Sequence, residues 1–105
     1  MEISKQKRLS GMLGFAMRAG KIIAGTDLVC KAMKGGSVRL AVISSEASDS
    51  TKKKLVNKCE FYGVRFVMAD IDTGELARII GKSFAAAAVA VTDEGFAAEI
   101  IKLFE

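Results

Sequence analysis

Val38-Arg-Leu-Ala-Val-Ile43 constrains this chain more than any other stretch. Its residues are nearly all apolar and mostly branched, with no alternation, so as a strand it must be covered on both faces. Such a strand belongs at the centre of a sheet with helices above and below. The flanking sequence supplies them. Between Ile3 and Arg18, Leu9, Met12, Leu13, Ala16 and Met17 recur at spacings of three and four, which predicts an amphipathic helix that Ser4 can cap and Ala19-Gly20 ends. A short strand from Lys21 to Ala24 follows, then a second helix from about Asp27 to Lys34 that Gly35-Gly36 stops.

Beyond the central strand, Ser44 to Ser50 is a polar loop with several candidate caps, leading into a helix that sets Leu55, Val56, Cys59 and Tyr62 opposite Lys52, Lys53 and Lys54. Gly63 closes it. Val64 to Ala69 reads as a strand, and Asp72-Thr-Gly-Glu75 has the spacing of a capping box for a helix through Leu76, Ile79 and Ile80. After Gly81, the small-residue run Phe84 to Val91 ends in a strand, and Thr92 or Asp93 caps a last helix through Phe96, Ile100, Leu103 and Phe104. A helix followed by four strand-helix alternations predicts an α/β fold, a three-layer α/β/α sandwich on a four-stranded, mostly parallel or mixed sheet. In such folds ligands gather at the loops on the strand C-terminal edge.

At 105 residues the chain makes one domain spanning residues 1–105. No apolar run approaches the roughly 18 residues of a membrane span, and Met1 to Ser10 is too polar for a signal-peptide core. The expectation is a cytoplasmic protein without a membrane contact. Cys30 and Cys59 fall on apolar helical faces and read as reduced core thiols.

The chain has no histidine, which removes the commonest general base and any Ser-His or Cys-His nucleophile pair. Two cysteines are too few for a zinc site, so neither a metal nor a cofactor is expected. A phosphate loop ending at Gly20-Lys21 fails, because five residues separate Gly14 from Gly20 and Ile22 stands where a magnesium-binding hydroxyl is needed. Ser50-Thr-Lys-Lys53 reads as a cap and a solvated lysine face, and the acid pairs Glu46/Asp49 and Asp70/Asp72 as loop caps. The chain does not read as an enzyme.

Charge is unevenly distributed. Residues 1–45 hold eight bases against Glu2 and Asp27, a balance of +6, whereas residues 46–105 carry a balance of −2. A polyanionic partner near the first half fits that asymmetry. The centre of the basic half is Gly20-Lys-Ile-Ile-Ala-Gly25-Thr-Asp-Leu-Val-Cys-Lys31, a strand turning into a helix at Gly25 with Thr26 or Asp27 as its cap. The first turn of that helix offers unpaired backbone N–H groups, and Lys31 lies one turn on. A second segment, Gly81 to Val91, sets Phe84, Ala85 and Ala86 at a loop mouth. Small side chains there admit a flat base, and a phenylalanine can stack on it. These two segments would be neighbours only if the C-terminal ends of their strands adjoin.

These residues resemble the small ribosomal proteins of the L-seven-Ae and L-thirty-e family, and within it the bacterial members found among ribosome-related genes. The similarity covers roughly residues 5–104 and is most specific over Ala19 to Lys31, Leu40 to Ser48, Lys52 to Cys59 and Gly81 to Val91. It implies an α/β/α sandwich that binds RNA kink-turns without catalysis. In kink-turn binders a Gly-x-Asn-Glu-x-x-Lys segment reads the guanines of tandem G·A pairs, and a small apolar loop covers an extruded nucleotide.

Gly25 and Lys31 match the first and last residues of that segment, and Phe84, Ala85 and Ala86 fall on the apolar loop. Asp27 stands at the Asn and Leu28 at the Glu, with Thr26 between Gly25 and Asp27. An ionised Asp presents acceptors to the acceptor edge of guanine, and Leu28 removes an acceptor for guanine N–H groups. Weaker or altered sequence selectivity is the consequence. Lys21, Arg18, Lys34 and Lys82 are expected to contact phosphates rather than bases. The implied partners are structured RNA, ribosomal RNA among the candidates, with a ribosomal or other protein as a further partner and the chain itself a monomer. A protein-interaction module on the same fold, its RNA site decayed at Asp27 and Leu28, is the alternative.

Overall fold

The computed structural model of the chain describes residues 3–83 and 85–105. In order, its elements are α1 (Ile3–Arg18), β1 (Ile22–Ala24), α2 (Thr26–Lys34), β2 (Leu40–Ser44), α3 (Asp49–Tyr62), β3 (Phe66–Ala69), α4 (Thr73–Ile79), β4 (Ala88–Val91) and α5 (Glu94–Lys102). One four-stranded sheet has the order β1-β4-β2-β3. It is mixed: β2 pairs in parallel with β3, and β4 runs antiparallel to both β1 and β2. The last strand in sequence is therefore inserted between the first two.

The central run behaves as its composition requires, every residue of β2 being buried. Its strand begins at Leu40 rather than Val38, because Arg39 stays exposed and only its N–H joins the sheet, donating to Val91 O at 2.8 Å. Strand pleating then divides the core. Leu40, Val42, Val89 and Val91 face α1, α4 and α5, where Leu9, Leu13, Leu76, Ile80 and Ile100 pack. Ala41, Ile43, Ala88 and Ala90 face α2 and α3, meeting Val29, Met33, Leu55 and Cys59. Three of those four sheet residues are alanines, so helices on this side approach the sheet closely. Cys59 lies against the Met33 sulfur at 3.8 Å, and burial pushes its thiol up to about 11. Among the described residues no helix is long and apolar enough to cross a membrane.

Caps account for several boundaries. Ser48 accepts from Thr51 N, and Asp93 rather than Thr92 caps α5 by accepting from Phe96 N at 2.9 Å. The capping box at Asp72 is half formed: Asp72 accepts from Glu75 N at 2.8 Å, but Glu75 turns to Arg78, whose hydrogen bond holds its carboxyl below the usual carboxylate range.

Ser44 is the only buried polar residue among those described. Its hydroxyl donates to Ile71 O and accepts from Glu46 N at 3.1 Å, tying the loop after β2 to the loop after β3. Removing it strands a buried carbonyl, at a cost of about 1–3 kcal/mol. Ser44→Ala is thus expected to lower the urea midpoint of unfolding by that much stability, with the slope of the transition unchanged. A shift within error would mean that water takes over both bonds.

Candidate functional site

The insertion of β4 assembles the candidate site. Because β1 and β4 are antiparallel, with Ala24 opposite Val89, the end of β1 meets the beginning of β4. Gly25 N donates to Ala88 O at 3.2 Å, and on the other side of β4 Ser44 N donates to Ala87 O at 2.8 Å. The two candidate segments are neighbours, although the condition set for it, adjoining C-terminal ends of their strands, is not met. Their strands do not adjoin by C-terminal ends; the loop before β4 arrives at the edge where β1, β2 and β3 finish.

Gly25 makes the turn from β1 into α2. Its φ of 98° and ψ of 143° lie where L side chains rarely go. Gly25 is itself the N-cap, Thr26 being the first helical residue, and no side chain caps the helix. This corrects the expectation that Thr26 or Asp27 would do so. The first-turn N–H groups of Thr26, Asp27 and Leu28 are left without a side-chain acceptor, next to the positive end of the helix dipole.

Asp27 points elsewhere. Its carboxylate lies 3.5 Å from Lys54 Nζ on α3, both side chains being well exposed. The sequence pattern had Lys54 on a solvated face; only the packing of α2 against α3 reveals the pairing. Leu28 is 59% exposed, a large apolar side chain facing solvent beside the open helix end. Lys31 is exposed one turn further on. Across the edge, Ala85 is exposed, whereas Ala86 is 1% exposed, packed in the core with its N–H on Thr73 O at 3.0 Å. Ala86 therefore anchors the loop, and its side chain is turned away from any ligand. Phe84 lies outside the described residues.

The remaining basic candidates do not join this group. Lys21 O accepts from Thr92 N, which puts Lys21 at the opposite sheet edge from Gly25 and Ala88. Arg18 precedes it at the end of α1, where its guanidinium lies 4.7 Å from the centre of the exposed Phe15 ring. Lys34 ends α2, away from its open N-terminus, and Lys82 is held by its N–H on Ala77 O beyond the end of α4. The compact site consists of Gly25, Thr26, Asp27, Leu28, Lys31 and Ala85, with Lys54 added by the fold.

A mixed β1-β4-β2-β3 sheet, α2 and α3 over one face and α1, α4 and α5 over the other, with an uncapped helix end beside a short loop, defines a three-layer α/β/α protein with the candidate site at one sheet edge. The chain belongs to the Ribosomal protein L7Ae/L30e/S12e/Gadd45 family, whose model matches residues 7–101. It is 39% identical to the RNA-binding protein YlxQ of Bacillus subtilis (strain 168) over 94 residues, covering 90% of this chain and 92% of that one. It is 31% identical to the RNA-binding protein YlxQ of Enterococcus faecium over 104 residues, covering 99% and 97%. A solved protein from Bacillus halodurans C superposes with a TM-score of 0.82 at 35% identity, over 90% of this chain and 94% of that one.

The open helix end depends on the backbone that only glycine adopts readily. A Cβ at Gly25 meets nothing within 4 Å, so the penalty of Gly25→Ala is backbone strain alone, about 1–3 kcal/mol. Thermal unfolding is expected to shift down accordingly. An unchanged melting temperature would show that the turn relaxes to a negative φ at no cost.

Proposed function

We propose that this chain is a non-catalytic RNA-binding protein of the ribosome and translation apparatus, active in the cytoplasm, that docks the N-terminal end of α2 and the loop before β4 onto structured, kink-turn-like RNA. The observation that carries this reading is the uncapped first turn of α2, joined to the second segment through the Gly25 N to Ala88 O hydrogen bond. Unpaired N–H groups at a helix end accept phosphate or base acceptors, and Lys31 adds a mobile cation on the same end. Ala85, small and exposed, lets a flat base approach the backbone beside them.

The two departures at Asp27 and Leu28 reduce base readout. The Lys54 ammonium beside Asp27 offsets part of the repulsion between that carboxylate and phosphates, although an exposed pair of this kind is weak and screened by salt. Phosphate contact then supplies most of the affinity, and discrimination is modest.

Two titrations test this. Binding to a standard kink-turn RNA and to a plain duplex of equal length, measured across salt, is expected to favour the kink-turn. Lys31→Ala is expected to weaken kink-turn binding and, where this lysine meets a phosphate, to lower the salt slope by about one unit. Equal binding to both RNAs would reduce the interaction to general basic attraction.

The second titration uses the double substitution Asp27→Asn with Leu28→Glu. Each recovered base contact is expected to add discrimination of about 1–3 kcal/mol, so the ratio of kink-turn to duplex affinity should rise at least tenfold. An unchanged ratio would mean that RNA is held in another mode. A gain from a parent chain that binds no RNA would instead favour a protein-interaction module with a decayed site.

A further inference from the structure

Helices α2 and α3 lie side by side, and their contacts fix a register. Asp27 reaches Lys54, an offset of 27 residues, and Met33 touches Cys59, an offset of 26. Near-constant offset means that the two helices run in the same direction, both leaving the edge where the candidate site lies. By that register Lys58 stands beside Lys31, and Lys34 faces Phe61. All of these lysines are exposed. Among the described residues, no carboxylate pairs with Lys31, Lys34 or Lys58. Asp27, on the line, already has Lys54 beside it, and the exposed Glu60, level with Lys34 at the 26-residue offset, is the acid at the far end.

Helical geometry aligns the charges. Lys54 and Lys58 are four residues apart, about 6 Å along the axis, on the flank of α3 turned to α2. Lys31 and Lys34 follow Asp27 down α2 at i+4 and i+7, hence on one stripe. Like charges at such spacings are mildly destabilising in the free protein, and among the described residues only Asp27, beside Lys54, relieves them in part. A polyanionic strand laid along the helix pair would do so.

We infer that the α2–α3 helix pair is a phosphate track: an RNA stem that leaves the site at the α2 N-terminus runs its backbone over Lys54, Lys58, Lys31 and Lys34. This rests on the RNA-binding reading above and extends it from the sheet edge to a whole helical face. The track ends at Phe61, 80% exposed beside the last turn of α2. It adds affinity without sequence information, because phosphates are alike in every sequence.

The test is Lys58→Gln, a substitution at an exposed position without a partner, compared with Lys53→Gln. Lys53 lies two residues before the buried Leu55 and so on the side of α3 turned away from the sheet. Both variants are titrated, with the parent protein, against a kink-turn RNA carrying long stems and against a plain duplex. Lys58→Gln is expected to weaken kink-turn binding roughly threefold at moderate salt and lower the salt slope by about one unit. The preference for kink-turn over duplex should stay where it is, and Lys53→Gln should change neither quantity.

Equal effects of the two variants, or none from Lys58→Gln, would overturn the track while leaving the helix-end site standing. An acidic protein as the true occupant would appear as this second result. Conversely, a parent protein that does not prefer the kink-turn removes the recognition reading, yet a slope loss confined to Lys58→Gln would still support the track.

Discussion

The structure depends on where β4 goes. Three of its four residues pair with β1 on one side and all four with β2 on the other, both antiparallel, so the last strand of the chain closes a sheet that the first three leave split. Everything at the working edge follows from that insertion. The end of β1 is fixed by Gly25 N on Ala88 O, and the end of β2 by Ser44 N on Ala87 O. Backbone bonds of this kind are individually modest, but leaving them unmade in a buried sheet is costly. The loop before β4 is therefore held in place by the core itself.

Fixing the edge allows one helix end to remain open. Four of the five helices begin after a strand, and α3, α4 and α5 each start with a side-chain oxygen on a first-turn N–H. α2 starts at a glycine and has none. Glycine in place of a capping side chain forfeits only a few tenths of a kcal/mol, roughly, and Gly25 adds the entropy of an unrestricted backbone in the unfolded chain. Among the helices whose starts are described, the molecule tolerates this at one place only, beside a loop anchored through Ala86. Ser44, two strands away, shows the opposite policy: a buried hydroxyl with all its bonds made.

Much of the architecture was legible because burial writes itself into the sequence. The run around Leu40 to Ile43 demanded cover on both faces, and the three- and four-residue spacing of Leu9, Leu13, Leu55 and Cys59 named the covering helices. Strand direction was not legible. Four short strands separated by helices fit a parallel sheet equally well, and only the antiparallel registers with β1 and β2 show that β4 runs the other way. The same limit applied to the site. Gly25, Asp27, Leu28 and Lys31 are close in sequence and were found there; Lys54 is 27 residues from Asp27 and became visible only through packing. Arg18 and Lys21 were grouped with the site because they precede it in the chain, but one short strand of three residues carries them to the opposite edge.

On the proposed reading, the absence of base-reading side chains at Asp27 and Leu28 and the row of cations along two helices belong together. A side chain that reads guanine must be placed to within hydrogen-bond tolerance, whereas an ammonium on a flexible stem attracts phosphate over several ångströms. A protein that trades the first kind of contact for the second keeps affinity and association rate while relaxing sequence choice. Shape then has to supply what selectivity remains. The part of the candidate site held by the sheet is the glycine turn, the open helix end and the bonded Ala86 and Ala87 beside it. On the proposed reading, a bent RNA presenting a phosphate to the helix end and a base to Ala85 together would fit that form, and a straight duplex would meet one group or the other.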